Sequence, residues 1–142
     1  MLARDTRAVP ADHVEFTRFT MAAWNRGDVD AILSRLAPDA EWAVAEENPN
    51  ARLLRGHAEI ADYLHDWLST IDGLRYELSE LVKAGDAVVA LGTMSGRAGE
   101  DGPKVTVPLA FVTFFERDVC VRVEEYLDHG RALEAAGASR SS

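Results

Sequence analysis

The chain has 142 residues, with 24 acidic and 15 basic side chains, a net charge of −9, and 47% apolar and 27% charged residues. That length fits one domain with its own core. The acidic balance argues against a nucleic-acid surface or an anionic membrane face, which need clustered Lys and Arg.

Residues 1–7 contain no apolar run of the signal-peptide kind. No stretch approaches the ~20 apolar residues of a membrane span. The single cysteine, Cys120, excludes an intrachain disulfide and a cysteine-rich metal site. A cytoplasmic, soluble protein is the expectation, with residues 1–10 as a loose end.

The first helix starts after Pro10, where Asp12 with Glu15 three residues on forms a capping-box pattern. Phe16, Phe19, Ala23 and Trp24 share one face, and Gly27 suits a left-handed end. Asp28 can cap a second helix carrying Val29, Ile32, Leu33 and Leu36 at helical spacing, closed by Pro38. Residues 40–45 read as a strand bearing Trp42 and Val44. The polar run 46–50 reads as a loop. After Gly56 comes a third helix with a stripe of Ile60, Tyr63, Leu64, Trp67, Leu68 and Ile71, stopped by Asp72-Gly73.

Strands follow over 74–82, 87–95, 105–115 and 119–127. They are joined by turns at 84–86, 96–103 and 116–118. Residues 131–136 can form a short helix, and 138–142 a loose tail. Helices first and strands last predict a single α+β domain over 1–142. Its form is a cone-shaped curved antiparallel sheet packed against three helices, enclosing a tapering pocket. Both faces of the 105–115 run are apolar, which is consistent with a homodimer that buries an exposed sheet face.

The last strand holds the sharpest chemical signal. Alternation puts Val119, Val121, Val123, Glu125 and Leu127 on one face, so Glu125 interrupts an apolar row. A buried carboxyl group is paired or has its pKa raised, and a raised pKa suits a general acid or base. A rim or interface glutamate paired with an arginine is the plainer alternative. Trp24, Trp42, Tyr63 and Trp67 are candidate contacts for a flat or cyclic ligand, or simply core. Met94 with Gly92 suggests an apolar, roomy pocket wall. Glu46 continues the Trp42 and Val44 face, although the acidic pair Glu46-Glu47 reads first as a solvated loop. His57 opens the third helix, where it can act near neutral pH or lie on the surface. His13 and His65 sit beside charged neighbours and read as exposed. No histidine pair has zinc spacing and no acidic loop resembles a calcium site, so no metal is expected. The glycines at 92, 96, 99 and 102 lack phosphate-loop spacing, and no serine sits on a nucleophile turn.

The run Asn25-Arg26-Gly27-Asp28-Val29-Asp30-Ala31-Ile32, then Ala37-Pro38-Asp39-Ala40-Glu41-Trp42, resembles the nuclear transport factor 2-like superfamily in its SnoaL-like branch, which includes polyketide cyclases. Arg122-Val123-Glu124-Glu125-Tyr126-Leu127-Asp128, with Arg131 to Gly137 beyond it, and Gly56 resemble it too. The resemblance implies a cup used for isomerisation, aldol cyclisation, epoxide hydrolysis, dehydration or plain binding, and such a fold does not name a reaction.

In relatives similar to limonene epoxide hydrolase, a carboxylate matching Glu125 belongs to the catalytic set. The arginine and aspartate of that set match Gly92 and Met94 here, which cannot activate water. In ketosteroid isomerase-like members a general-base carboxylate lies near the pocket mouth, where Glu46, Glu47 and Asn48 fall. Two expectations stand side by side. One is a cofactor-free acid/base enzyme of the cyclase, isomerase or dehydratase type, with Glu125, Glu46 and His57 as catalytic candidates. The other is a non-catalytic carrier of a hydrophobic small molecule.

Overall fold

The first helix of the structure, a computed structural model, is α1 (Ala11–Asn25), and the residues described are 11–48, 51–85, 87–99, 101–117 and 119–141. The Asp12 cap and the parts of the expected turns and loose ends that fall on 1–10, 49–50, 86, 100, 118 and 142 lie outside the described residues or side chains. Phe16, Ala23 and Trp24 are buried, as their spacing requires. The Glu15 carboxylate binds Arg35 at 2.7 and 3.0 Å. Gly27 has φ +74°, the left-handed conformation that ends α1. Asn25, just before it, accepts from the Tyr76 N–H at 2.8 Å and donates to the Tyr76 carbonyl at 3.1 Å.

Asp28 caps α2 (Val29–Leu33) through the Ala31 N–H at 3.1 Å. This helix is shorter than the spacing predicts. Leu36 and Pro38 belong to β1 (Leu36–Ala43) instead. Pro38 is tolerated there because the register shifts between Leu36 and Glu41, so no ladder bond is asked of its missing N–H. The short edge strand β2 (Leu53–Arg55) pairs antiparallel with β1 and has no sequence signal of its own. Then α3 (Gly56–Thr70) buries Ile60, Tyr63 and Leu64. Its first residue, Gly56, has φ +82°, a conformation that only glycine adopts freely.

The remaining strands are β3 (Asp72–Ala84), β4 (Ala87–Arg97), β5 (Lys104–Glu116) and β6 (Val119–Tyr126). They complete a six-stranded sheet in the order β2-β1-β6-β5-β4-β3. The sheet is curved and unclosed, with its concave side packed against α1, α2 and α3. One pairing departs from the antiparallel expectation: β1 and β6 run parallel. They are joined by a helix and four strands, so no tight turn forces them antiparallel.

A fourth helix, α4 (His129–Ser141), is longer than the expected 131–136 and leaves the tail short. Its Ala132 and Ala136 cover Ala84, Ala87, Val89, Leu91, Ala110 and Val112 on the convex face. Ala110 and Val112, on the outward side of β5 read from sequence as a dimer surface, are thus covered within the chain itself, while Thr106 and Pro108 of the same strand are exposed. Strict alternation along β6 also fails near its start. The register with β5 shifts between Phe114 and Phe115, and Cys120 joins the concave core, fully buried. Among the described residues, no helix is long and apolar enough to cross a membrane.

Candidate functional site

Between the concave sheet and the three helices lies a cavity of about 340 Å³, a size typical of small-molecule sites. Glu125 is on its wall. In β6, Glu125 pairs with Phe111 of β5, and Val123 pairs with Trp42 of β1. Side chains two apart on a strand share a face, so the parallel pairing brings Trp42 beside Glu125. Tyr63 reaches the same point from the buried stripe of α3.

The Trp42 indole N–H donates to Glu125 Oε2 at 2.7 Å. The Tyr63 hydroxyl lies 2.8 Å from Oε1 and 3.0 Å from Oε2. The Ala45 N–H donates to Oε1 at 3.4 Å. Only 9% of Glu125 is exposed, and burial pushes its pKa up even though these three donors favour the charged form. Tyr63 is also pushed up, by burial first and by the neighbouring Glu125 charge second. Among the described residues, the partners of the carboxyl group are all neutral, and none forms an ion pair with it.

Aromatic rings surround this group. Trp42 lies 6.1 Å from Phe111 and 6.5 Å from Tyr63, and Trp67 stands edge-on to Tyr63 at 6.5 Å. Trp24 lines the cavity from α1, its indole N–H buried without a partner among the described residues. Met94 lines it from β4, opposite Tyr76 and Val107. Asn48 is on the wall beside Ala45 and Glu47. So Glu125, Trp42, Tyr63, Trp67, Met94, Asn48 and Trp24 converge on one space.

Other candidates stand apart from it. Glu46 lies in the turn after β1, largely exposed, 3.4 Å from Arg131; the strand ends at Ala43, so the alternation that aimed Glu46 inward no longer applies. Its neighbour Glu47 is the one of the pair that lines the wall, and it too meets Arg131, at 3.2 Å. His57 is tied by Nε2 to the Leu36 carbonyl at 3.1 Å and does not line the cavity. Gly92 opens no space: a Cβ there would collide with the Tyr76 ring, which occupies the place. His13 is not exposed but half-buried, stacked on Phe115 at 3.7 Å. Among the described residues, no cluster of His, Cys, Asp and Glu could hold a metal ion.

Sequence reasoning missed Tyr76 and Phe111 as cavity residues. Tyr76 was legible only as buried, and its hydroxyl donates to the Leu109 carbonyl at 2.8 Å. Which face of β5 looks inward was ambiguous, because both faces are apolar.

Residues 16–123, about three-quarters of the chain, match the SnoaL-like domain family. The chain belongs to the SnoaL-like family. Solved structures agree on the fold. An NTF2-like protein of unknown function from Burkholderia pseudomallei K96243 superposes with TM-score 0.74 at 23% identity, over 88% of this chain and 97% of the other. TerC co-crystallised with polyporic acid gives TM-score 0.73 at 24% identity, over 89% and 98%. An NTF2-like protein from Burkholderia thailandensis E264 gives TM-score 0.71 at 27% identity, over 87% and 95%. No curated protein matches the chain. In this SnoaL-like chain the cup of the NTF2-like fold therefore holds one buried carboxyl group in an aromatic setting.

Proposed function

We propose that this SnoaL-like protein is a cofactor-independent acid/base enzyme of the cyclase, isomerase or dehydratase type, acting on a small hydrophobic cyclic molecule. One observation carries the reading: the carboxyl group of Glu125 is on the wall of an apolar cavity, bound among the described residues only to neutral donors. Burial favours its protonated form, so it can give a proton to a substrate oxygen; ionised, it can take one from carbon. The Tyr63 hydroxyl and Trp42 indole orient it and stabilise the charge that forms on it. Trp42, Tyr63, Trp67, Trp24 and Met94 supply the faces that hold a ring system, and Asn48 is a polar contact near the mouth.

With Glu46 and His57 away from the cavity and Glu47 paired with Arg131, Glu125 acts as the proton carrier. One carboxyl group that removes a proton at one atom and returns it at another suits isomerisation and aldol cyclisation. The crystallisation of TerC with polyporic acid supports a cup of this shape as a small-molecule site.

Replacing Glu125 by Gln should cost ~10²-fold or more in turnover while binding is retained, because the general acid/base contribution is lost. Wild-type turnover by E125Q on an authentic substrate would remove the catalytic role. The reading would then be a binding protein, whose ligand is recovered unchanged.

A further inference from the structure

We infer that the cavity takes uncharged ring compounds and shuts out anionic ones, so that the substrate reaches it as a free neutral molecule. This rests on the reading of the cavity as the small-molecule site. The ionisable side chains on its described wall are the carboxyl groups of Glu125 and Glu47 and the phenols of Tyr63 and Tyr76; it holds no Lys, Arg or His. An anion entering would shed its water and find no counter-charge, a cost that a neutral carbonyl or hydroxyl group does not meet.

The donors around Glu125 are also engaged, and the one buried indole N–H left without a partner among the described residues, that of Trp24, is neutral and brings no counter-charge to an anion. Trp42, Tyr63 and the Ala45 N–H are spent on Glu125. The Tyr76 hydroxyl donates to the Leu109 carbonyl, and that of Thr20 to the Phe16 carbonyl. Two cations stand near but outside. Arg131 is paired with Glu46 and Glu47. Arg52 lies over the Tyr63 ring, 5.9 Å from its centroid, and is not on the wall. The net charge of −9 adds a long-range field of the same sign against anions. The reaction class that supplies this substrate must therefore leave an ester, a lactone or a ketone, with no free carboxylate and no phosphate-bearing carrier attached.

Equilibrium dialysis of the full chain near neutral pH would compare two probes of nearly equal shape, acetylnaphthalene and naphthoate substituted at the same ring position. The ketone should bind about thirtyfold or more tightly than the carboxylate, given the cost of burying an unpaired charge. Val105 lines the rim and is 42% exposed, so a cation can be placed there without disturbing the core. V105K should raise naphthoate affinity about tenfold relative to the ketone, as a nearby opposite charge does in a partly buried site. Equal binding of the two probes to the wild type would overturn the charge selection and leave the acid/base reading intact, since that depends on E125Q turnover. An unchanged ratio in V105K would remove its stated cause. If neither probe binds, the cavity reading falls together with the inference.

Discussion

At the scale of single residues, the chemistry turns on one carboxyl group and its donors. Burial raises the Glu125 pKa above the usual carboxylate value, so the folded protein holds that proton more tightly than the unfolded chain. The associated stability is complete below the unfolded-state pKa and is lost as pH rises through the raised folded-state pKa. A melting-temperature series against pH should show this decline in the wild type, and E125Q should lack that part of it. Parallel curves would mean that Glu125 does not titrate differently on folding. Tyr63 donates to both carboxylate oxygens, so Y63F should push the Glu125 pKa higher still. A pH–rate profile should then show its Glu125 limb displaced upward, with a rate loss of about tenfold or more, the scale of one positioned proton-transfer contact. An unmoved limb would assign Tyr63 to packing alone.

At the scale of elements, two features hold the cup in place. Asn25 joins the end of α1 to the backbone of β3 through both its donor and its acceptor. N25A leaves the N–H and carbonyl of Tyr76 without those partners and should cost about 1–3 kcal/mol, measured by urea unfolding. A loss well below that range would mean that water replaces the amide. On the convex face, α4 buries Val89, Leu91, Ala110 and Val112. A chain ended at Asp128 should expose that patch, melt lower and self-associate, as light scattering would show. If it stays monomeric and equally stable, α4 is not a needed cover.

This element also bears on the expected homodimer. It covers Ala110 and Val112 of β5 and leaves Thr106 and Pro108 of the same strand exposed, so a dimer measured by light scattering has that open part of the sheet face to use.

At the scale of the whole molecule, the chain reads as helices first and a sheet after, folded so that the sheet curves over three helices. Local signals carried much of this by themselves. Gly27, Asp28 and Gly56 mark helix ends through backbone conformation and capping, which depend on near neighbours. The apolar stripes of α1 and α3 named Phe16, Trp24, Tyr63 and Leu64 as buried for the same reason. Glu125 stood out because alternation along β6 is also local.

Only the tertiary structure decided the rest. A helical stripe ending in Leu36 and a strand beginning with it look alike over so few residues, and contact with β6 settled the matter. The parallel pairing of β1 with β6 put Trp42 on Glu125 across 83 positions of sequence, and no periodicity records a partner so distant. Whether Glu46 or Glu47 borders the cavity depended on where β1 stops, and whether β5 is exposed depended on a helix that comes later in the chain. Short-range conformational preference was legible from residue order; which surfaces meet follows from long-range packing, where many arrangements satisfy the same local pattern.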